Sequence, residues 1–402
     1  MNDRQQDKDF SLADDQVAWG HMMNREANTS SVLVKPVSAD CNLNCKYCFY
    51  SPKAALYPET ERHHMMDQVL RELVAQLMAL SPERASFCWQ GGEPTLAGLD
   101  FYRRVVKYQA LFGIPGQTVG NSLQSNGTLI NEEWAKFLAN YSFLVGVSLD
   151  GPKELQDCYR RDHVGRGSFK RVLQSVSWLR QYKVDFNILV LLNNRNIEHP
   201  RELYHFLLEQ GFKFLQFIPC IERDPEKGGP AEYSITPEQY GQFLCTVFDE
   251  WTREEIPQVY IRDFEDIVIA YVSGESPSCI YSRECGKYLV VEYNGDVYPC
   301  DFYVEPRWLL GNLTEQPLEE MIVGEKLAEF RSRKAEMAHE CRDCSWLRYC
   351  NGGCPKHWTV LGFDHNYFCS SYRTFFEHSQ QKFLELKKIV AEKENLRMVL
   401  PR

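Results

Sequence analysis

Three things are scarce in this chain: long apolar runs, positive charge and an apolar start. No stretch approaches the roughly 20 apolar residues that a membrane-spanning helix needs, so no membrane association is expected. The formal net charge is −10. That balance offers no footprint for nucleic acid, whose binding needs a basic face. The chain begins MNDRQQDKDFSLADD, which lacks the apolar core of a secretory signal, and a cytoplasmic location is the expectation. There is no repeat of fixed period and no low-complexity segment.

What is abundant is cysteine. The chain has 402 residues, 44% hydrophobic and 25% charged, the usual mix for a globular protein with a large core or two domains. Fifteen of the residues are cysteines. In a reducing compartment they point to metal binding or chemistry rather than disulfides. Cys41, Cys45 and Cys48 form one group. Cys279, Cys285, Cys300, Cys341, Cys344, Cys350, Cys354 and Cys369 form another. Cys88, Cys158, Cys220 and Cys245 match no motif and read as buried small hydrophobes.

Residues 1–30 are polar and form an extension. Six β-type runs follow, at 31–37, 85–89, 118–123, 143–149, 184–192 and 213–218. Helical patterns lie near 68–80, 99–112, 131–140, 168–182, 199–210 and 236–253. Strict alternation implies a parallel sheet with right-handed crossovers. The expected fold is therefore α/β, a partial (βα)6 TIM-like barrel over 31–255. A connector at 256–274 leads to a cysteine-rich domain at 275–370, held by metal rather than by a large core. Within it, 288–293 and 296–299 read as a hairpin, with Asn294-Gly295 suited to a type I′ turn. A charged helix occupies 371–402. In such barrels the chemistry sits on loops after the C-terminal ends of strands. The cysteine triplet follows the first strand, Gln90-Gly91-Gly92-Glu93-Pro94 the second, Ser125-Asn126-Gly127 the third, and Asp150-Gly151-Pro152 ends the fourth.

Cys41-x3-Cys45-x2-Cys48 places three thiolates close enough to hold three irons of a [4Fe–4S] cube, leaving the fourth iron open to a small molecule. On spacing alone the triplet also fits three ligands of a zinc site, and the eight later thiolates fit either two cubes or two zinc sites. The triplet, with an aromatic before its last cysteine, resembles the signature of the radical S-adenosylmethionine superfamily. Gly91-Gly92-Glu93-Pro94 is similar to that family's second motif, which meets the cofactor's methionine amino group. The later cysteines resemble a SPASM domain. Tyr298-Pro299-Cys300-Asp301 and Cys350-Asn351-Gly352-Gly353-Cys354 look like those of the anaerobic sulfatase maturases.

The resemblance implies three [4Fe–4S] clusters and S-adenosylmethionine. Cys41, Cys45 and Cys48 would hold the first cluster. Cys279, Cys285, Cys300 and Cys354 would hold one auxiliary cluster, and Cys341, Cys344, Cys350 and Cys369 the other. Tyr47, Gly92, Ser148, Arg160 and Ile221 would touch S-adenosylmethionine, with Arg161 as an alternative to Arg160. Tyr50 and Gln90 would position substrate, and Asp301 would be the base. The implied reaction oxidises a cysteine or serine of a sulfatase polypeptide to formylglycine through a 5′-deoxyadenosyl radical. A flavodoxin- or ferredoxin-type electron donor and a monomeric state go with it. Two rival readings remain: a maturase of ribosomally made peptides, and a zinc-stabilised scaffold without catalysis. With only about 30 residues before the first strand, fewer than the roughly 40 an independent domain needs, no separate leader-binding domain is expected.

Overall fold

The computed structural model describes residues 31–60, 62–337 and 339–399; the polar extension at 1–30 lies outside the described residues. Seven strands run parallel: β1 Ser31–Lys35, β2 Arg84–Trp89, β3 Thr118–Ser125, β4 Leu144–Ser148, β5 Phe186–Leu192, β6 Phe214–Pro219 and β7 Tyr260–Ile261. Helices α1 Asp67–Leu80, α2 Leu99–Phe112, α3 Glu132–Asn140, α4 Lys153–Tyr159, α5 Phe169–Gln181, α6 Pro200–Glu209, α7 Pro237–Trp251 and α8 Arg262–Ser273 connect or follow them. The six expected βα units are present, with helix and strand bounds shifted by a few residues.

Local sequence explains where the helices begin. Asn131 accepts a hydrogen bond from Trp134 N and caps α3. Thr236 and Gln239 form a reciprocal capping box at α7, where Pro237 occupies a first-turn position that needs no N–H. Gly274 ends α8 in the left-handed region.

Two expectations are corrected. The stretch 256–274 is not a bare connector, since it holds β7 and α8. The turn between β8 Leu289–Glu292 and β9 Asp296–Tyr298 is not type I′, which needs positive φ at both central residues. Here Gly295 has φ +94 and Asn294 is not left-handed. Gly295 N donates to Glu292 O at 3.0 Å, so this is a type I turn closed by a glycine bulge.

The cysteine-rich part is also less separate than its composition suggests. β8 pairs in parallel with β1, and Lys35 stands opposite Glu292. β9 and β10 Gly311–Asn312 continue the same sheet, giving the order β10-β9-β8-β1-β2-β3-β4-β5-β6-β7. One core runs from Val32 through Leu313 and Leu327 to Leu386. The final helix, Cys369–Val399, lies back on the barrel: the Phe248 ring on α7 is 5.5 Å from Phe375 and 4.8 Å from Phe383.

Candidate active site

The loop after β1 carries Cys41, Cys45 and Cys48. It is clamped by the loop after β2. Gly92 N donates to Ser38 O at 2.7 Å, and Glu93 N to Asp40 O at 2.8 Å. A Cβ on Gly92 would lie 2.0 Å from Asp40 O, so only glycine allows this approach. Glu93 is fully buried. Its carboxylate accepts hydrogen bonds from Thr95 N, Thr95 Oγ1, Ser125 Oγ and Asn126 N. It therefore braces the loops after β2 and β3 instead of standing open to a ligand ammonium. Asn126 Nδ2 reaches Cys41 Sγ at 3.6 Å, and Leu43 N donates to the same sulfur at 3.4 Å. Burial pushes the Cys41 thiol up to about 12 and Cys45 to about 11, with nearby acidic groups adding to it. Thiols held this way become thiolates when iron supplies the missing positive charge.

Beside this loop, Asp150 at the end of β4 is almost completely buried. Arg160 binds it through two nitrogens, Nε to Oδ2 at 2.9 Å and Nη2 to Oδ1 at 3.0 Å. The Tyr47 hydroxyl donates to Oδ2, and Leu191 N donates to Oδ1 at 3.0 Å. The Arg160 guanidinium lies 5.4 Å from the Tyr47 ring centroid. Arg161 is exposed and donates to Asp157 O, so Arg160 is the arginine that faces inward. Ser148, two residues before Asp150, accepts from Gln124 Nε2 at 3.3 Å. Ile221, just past β6, is wholly within the core.

On the other side of the cysteine loop is a second buried network. Lys35, fully buried, places Nζ 3.9 Å from the Tyr50 ring centroid and 3.3 Å from Gln90 Oε1. The Tyr50 hydroxyl donates to Glu292 Oε1. Asp301, in a short turn after Cys300, accepts from the Tyr288 hydroxyl at 2.9 Å. Burial raises Glu292, and the Tyr50 hydrogen bond and the Lys35 ammonium oppose that.

The auxiliary cysteines fall into two electrostatic neighbourhoods. After burial, the groups that raise Cys354 include Cys279 and Cys285, and those that raise Cys300 include Cys354 and Cys279. Cys341 is raised by burial, Cys369 and Cys344, and Cys350 by burial and then Cys344, Cys369 and Cys341. Cys354 and Cys300 thus lie in the field of Cys279, and Cys350 in that of Cys341, Cys344 and Cys369. Lys334 sits beside the first set. Its Nζ donates to the carbonyls of Cys279, Ile280 and Ser282, and both sets act on its charge. Among the described residues no three His, Cys, Asp or Glu side chains converge on a single-ion site. A cube holds its thiolates wider than one tetrahedral zinc does. Of the four unassigned cysteines only Cys220 is fully buried; Cys88, Cys158 and Cys245 are half-buried.

Sequence reasoning missed Lys35, Glu292 and Lys334 and gave Asp150 no role. Lys35, Glu292 and Lys334 are single charged residues whose partners are remote in sequence, while Asp150 meets Arg160 ten residues on. For Lys35 and Glu292 the one available signal was a charged residue closing a largely apolar strand, as in SVLVK and LVVE.

Comparison with known proteins supports the geometry. The Radical SAM superfamily description fits residues 36–207, and the iron–sulfur cluster-binding SPASM domain fits 279–345. A serine-type anaerobic sulfatase-maturating enzyme of Bacteroides thetaiotaomicron is 37% identical, over 86% of this chain and 88% of its own. A cysteine-type enzyme of Clostridium perfringens is 38% identical, over 89% and 98%. The chain belongs to the anaerobic sulfatase-maturating enzymes. The solved structure of native anSMEcpe with bound AdoMet and Cp18Cys peptide superposes with a TM-score of 0.84 at 38% identity, covering 90% of this chain and 99% of that one. Streptococcus suis SuiB, at 16% identity and TM-score 0.60, shares the fold alone. The enzyme is a radical S-adenosylmethionine oxidoreductase. Its cofactors are [4Fe–4S] clusters and S-adenosylmethionine, with three thiol groups for three clusters. No helix among the described residues is long and apolar enough to cross a membrane.

Proposed function

We propose that this enzyme oxidises a cysteine or serine side chain of a sulfatase polypeptide to Cα-formylglycine without oxygen. The observation that carries the reading is the contact of Lys35 with both Tyr50 and Gln90, beside the first cysteine loop, with Asp301 close enough to act on the same ammonium. Relatives at 37–38% identity carry the names serine-type and cysteine-type, so either target chemistry suits this scaffold.

When bound, S-adenosylmethionine with a [4Fe–4S] cluster would supply hydrogen-abstracting radical chemistry, and auxiliary clusters would supply an acceptor for the electron the target loses. The rest falls to the chain's own residues. Gly91, Gly92 and Pro94 shape the cofactor loop, which Glu93 braces. Tyr47, Ser148, Arg160 and Ile221 line the same cofactor site, with Arg160 fixed by Asp150. Tyr50 and Gln90 hold the peptide so that a β-hydrogen of the target faces the radical. Asp301 takes the target's thiol or hydroxyl proton; from serine this leaves the aldehyde, and from cysteine a thioaldehyde that water hydrolyses with release of sulfide. A carboxylate is too weak a base for a resting thiol of pKa about 8.5. A carbon radical beside the sulfur makes that proton more acidic, so proton transfer goes with hydrogen loss. Cys41, Cys45 and Cys48 would hold the first cluster, Cys279, Cys285, Cys300 and Cys354 the second, and Cys341, Cys344, Cys350 and Cys369 the third. The unit spans a barrel at 31–255 and a SPASM region at 275–370. It works as a monomer in the cytoplasm, reduced by a flavodoxin- or ferredoxin-type donor, and does not bind nucleic acid.

The test is anaerobic turnover of paired synthetic sulfatase peptides differing only in Cys or Ser at the target. Mass spectrometry should find the aldehyde on at least one. Cofactor cleavage with both peptides unchanged would overturn the reading.

A further inference from the structure

Lys35 has no role in the reaction as described, yet its surroundings are unusual. It ends β1 with no exposed surface, and an ammonium in such a place is costly unless held by partners. Its partners are the Tyr50 ring, Gln90 Oε1 and the field of two carboxylates, Asp301 first and Glu292 next. Glu292 is its neighbour across the β1–β8 ladder and takes the Tyr50 hydroxyl proton in a hydrogen bond. Burial drives the lysine's pKa down, and Asp301 and Glu292 oppose this. One side chain therefore touches both residues assigned to hold the peptide and lies in the field of the residue assigned as base.

We infer that Lys35 is a positioning residue for the peptide substrate, setting the Tyr50 ring and the Gln90 amide in one register with Asp301 across the junction of barrel and hairpin. This rests on the function proposed above. The ring is held by cation–π attraction to its face and at its hydroxyl by Glu292. The amide is held through its oxygen, which leaves its NH2 group to donate to a peptide carbonyl. Because β1 belongs to the barrel and β8 to the cysteine-rich part, the same ammonium also ties the peptide grip to the segment that carries Asp301.

The experiment uses the reconstituted three-cluster enzyme, reduced chemically, with a synthetic sulfatase-type peptide. Lys35→Met keeps length and removes charge. Iron content and S-adenosylmethionine affinity report an intact barrel. The expected result is a peptide KM raised about tenfold or more, because uniform binding is lost. The ratio of 5′-deoxyadenosine to aldehyde should also climb above that of the wild type, because the target no longer faces the radical. A purely structural lysine would lower the yield of folded protein without moving that ratio. If Lys35→Met does not fold, Glu292→Gln removes the opposing carboxylate with little change of shape and should shift KM and ratio the same way. Combining either variant with Tyr50→Phe should give losses that do not add. Unchanged KM and ratio, or strictly additive losses, overturn the inference. A wild-type enzyme that leaves the peptide untouched overturns the functional reading and this one with it.

Discussion

Two buried charge systems flank the first cysteine loop, and they are built differently. Each takes the hydroxyl of a tyrosine from that loop, Tyr47 on one side of Cys48 and Tyr50 on the other. On the Tyr47 side the cation and anion bind directly, in the two-pronged Arg160–Asp150 pair. On the Tyr50 side, no ion pair among the described residues joins Lys35 to Glu292, and the ammonium is shared with a ring and an amide. A planar fork on a carboxylate has one geometry, whereas an ammonium with rotatable donors tolerates several. The rigid pair suits the cofactor role proposed for Tyr47 and Arg160. The looser one suits the role proposed for Tyr50 and Gln90, holding a peptide whose sequence varies.

The comparison can be broken at its common hinge. Replacing Cys41, Cys45 and Cys48 together by Ala should abolish all S-adenosylmethionine cleavage and remove about four irons, one cube's worth; iron assay and deoxyadenosine chromatography check it. Asp301→Asn acts on the peptide side alone. Aldehyde formation should fall by about 10²–10⁴, the usual worth of a positioned acid or base, while deoxyadenosine continues to form. Asp150→Asn acts on the cofactor side alone. It leaves Arg160 in a buried place without its counter-charge, which costs about 3 kcal/mol, read as a lower denaturation midpoint together with weaker S-adenosylmethionine binding. The smallest effects sharpen the contrast best. Tyr47→Phe and Tyr50→Phe each remove one hydrogen bond to a carboxylate, worth about 1.5 kcal/mol or roughly tenfold. The first should raise KM for the cofactor and the second KM for the peptide. The reverse pattern would break the comparison.

Much of this was legible in the sequence for a physical reason. Alternating β and α periodicity needs only local information, and the cysteine spacings are local too. The placement of the glycine motif after β2 followed from strand order. The interleaved cysteine sets were not legible from spacing, because their members alternate along the chain, and they came only with the family resemblance. The Tyr50–Glu292 contact joins residues 242 apart, and nothing near either residue announces the other. β7 escaped notice because it has two residues and leads straight into a helix whose first turn is acidic. Burial holds Asp263 up at about 7 and Glu265 at about 8, with Asp266 adding to both. Such residues read as a surface loop until their burial is known.

The pairing of β8 with β1 has a consequence for biosynthesis. β1 emerges from the ribosome early, but its outer edge stays unpaired until residues 289–292 have been made. Through most of synthesis, at roughly 5–20 residues per second, the nascent sheet carries an open strand of Ser-Val-Leu-Val-Lys, the kind of edge that recruits other chains. The hairpin that closes it also carries Asp301 and Cys300 just beyond its end. A chain stopped before residue 289 should therefore be aggregation-prone as well as inactive. Completing the sheet and bringing in the segment that carries Cys300 and Asp301 are the same late event.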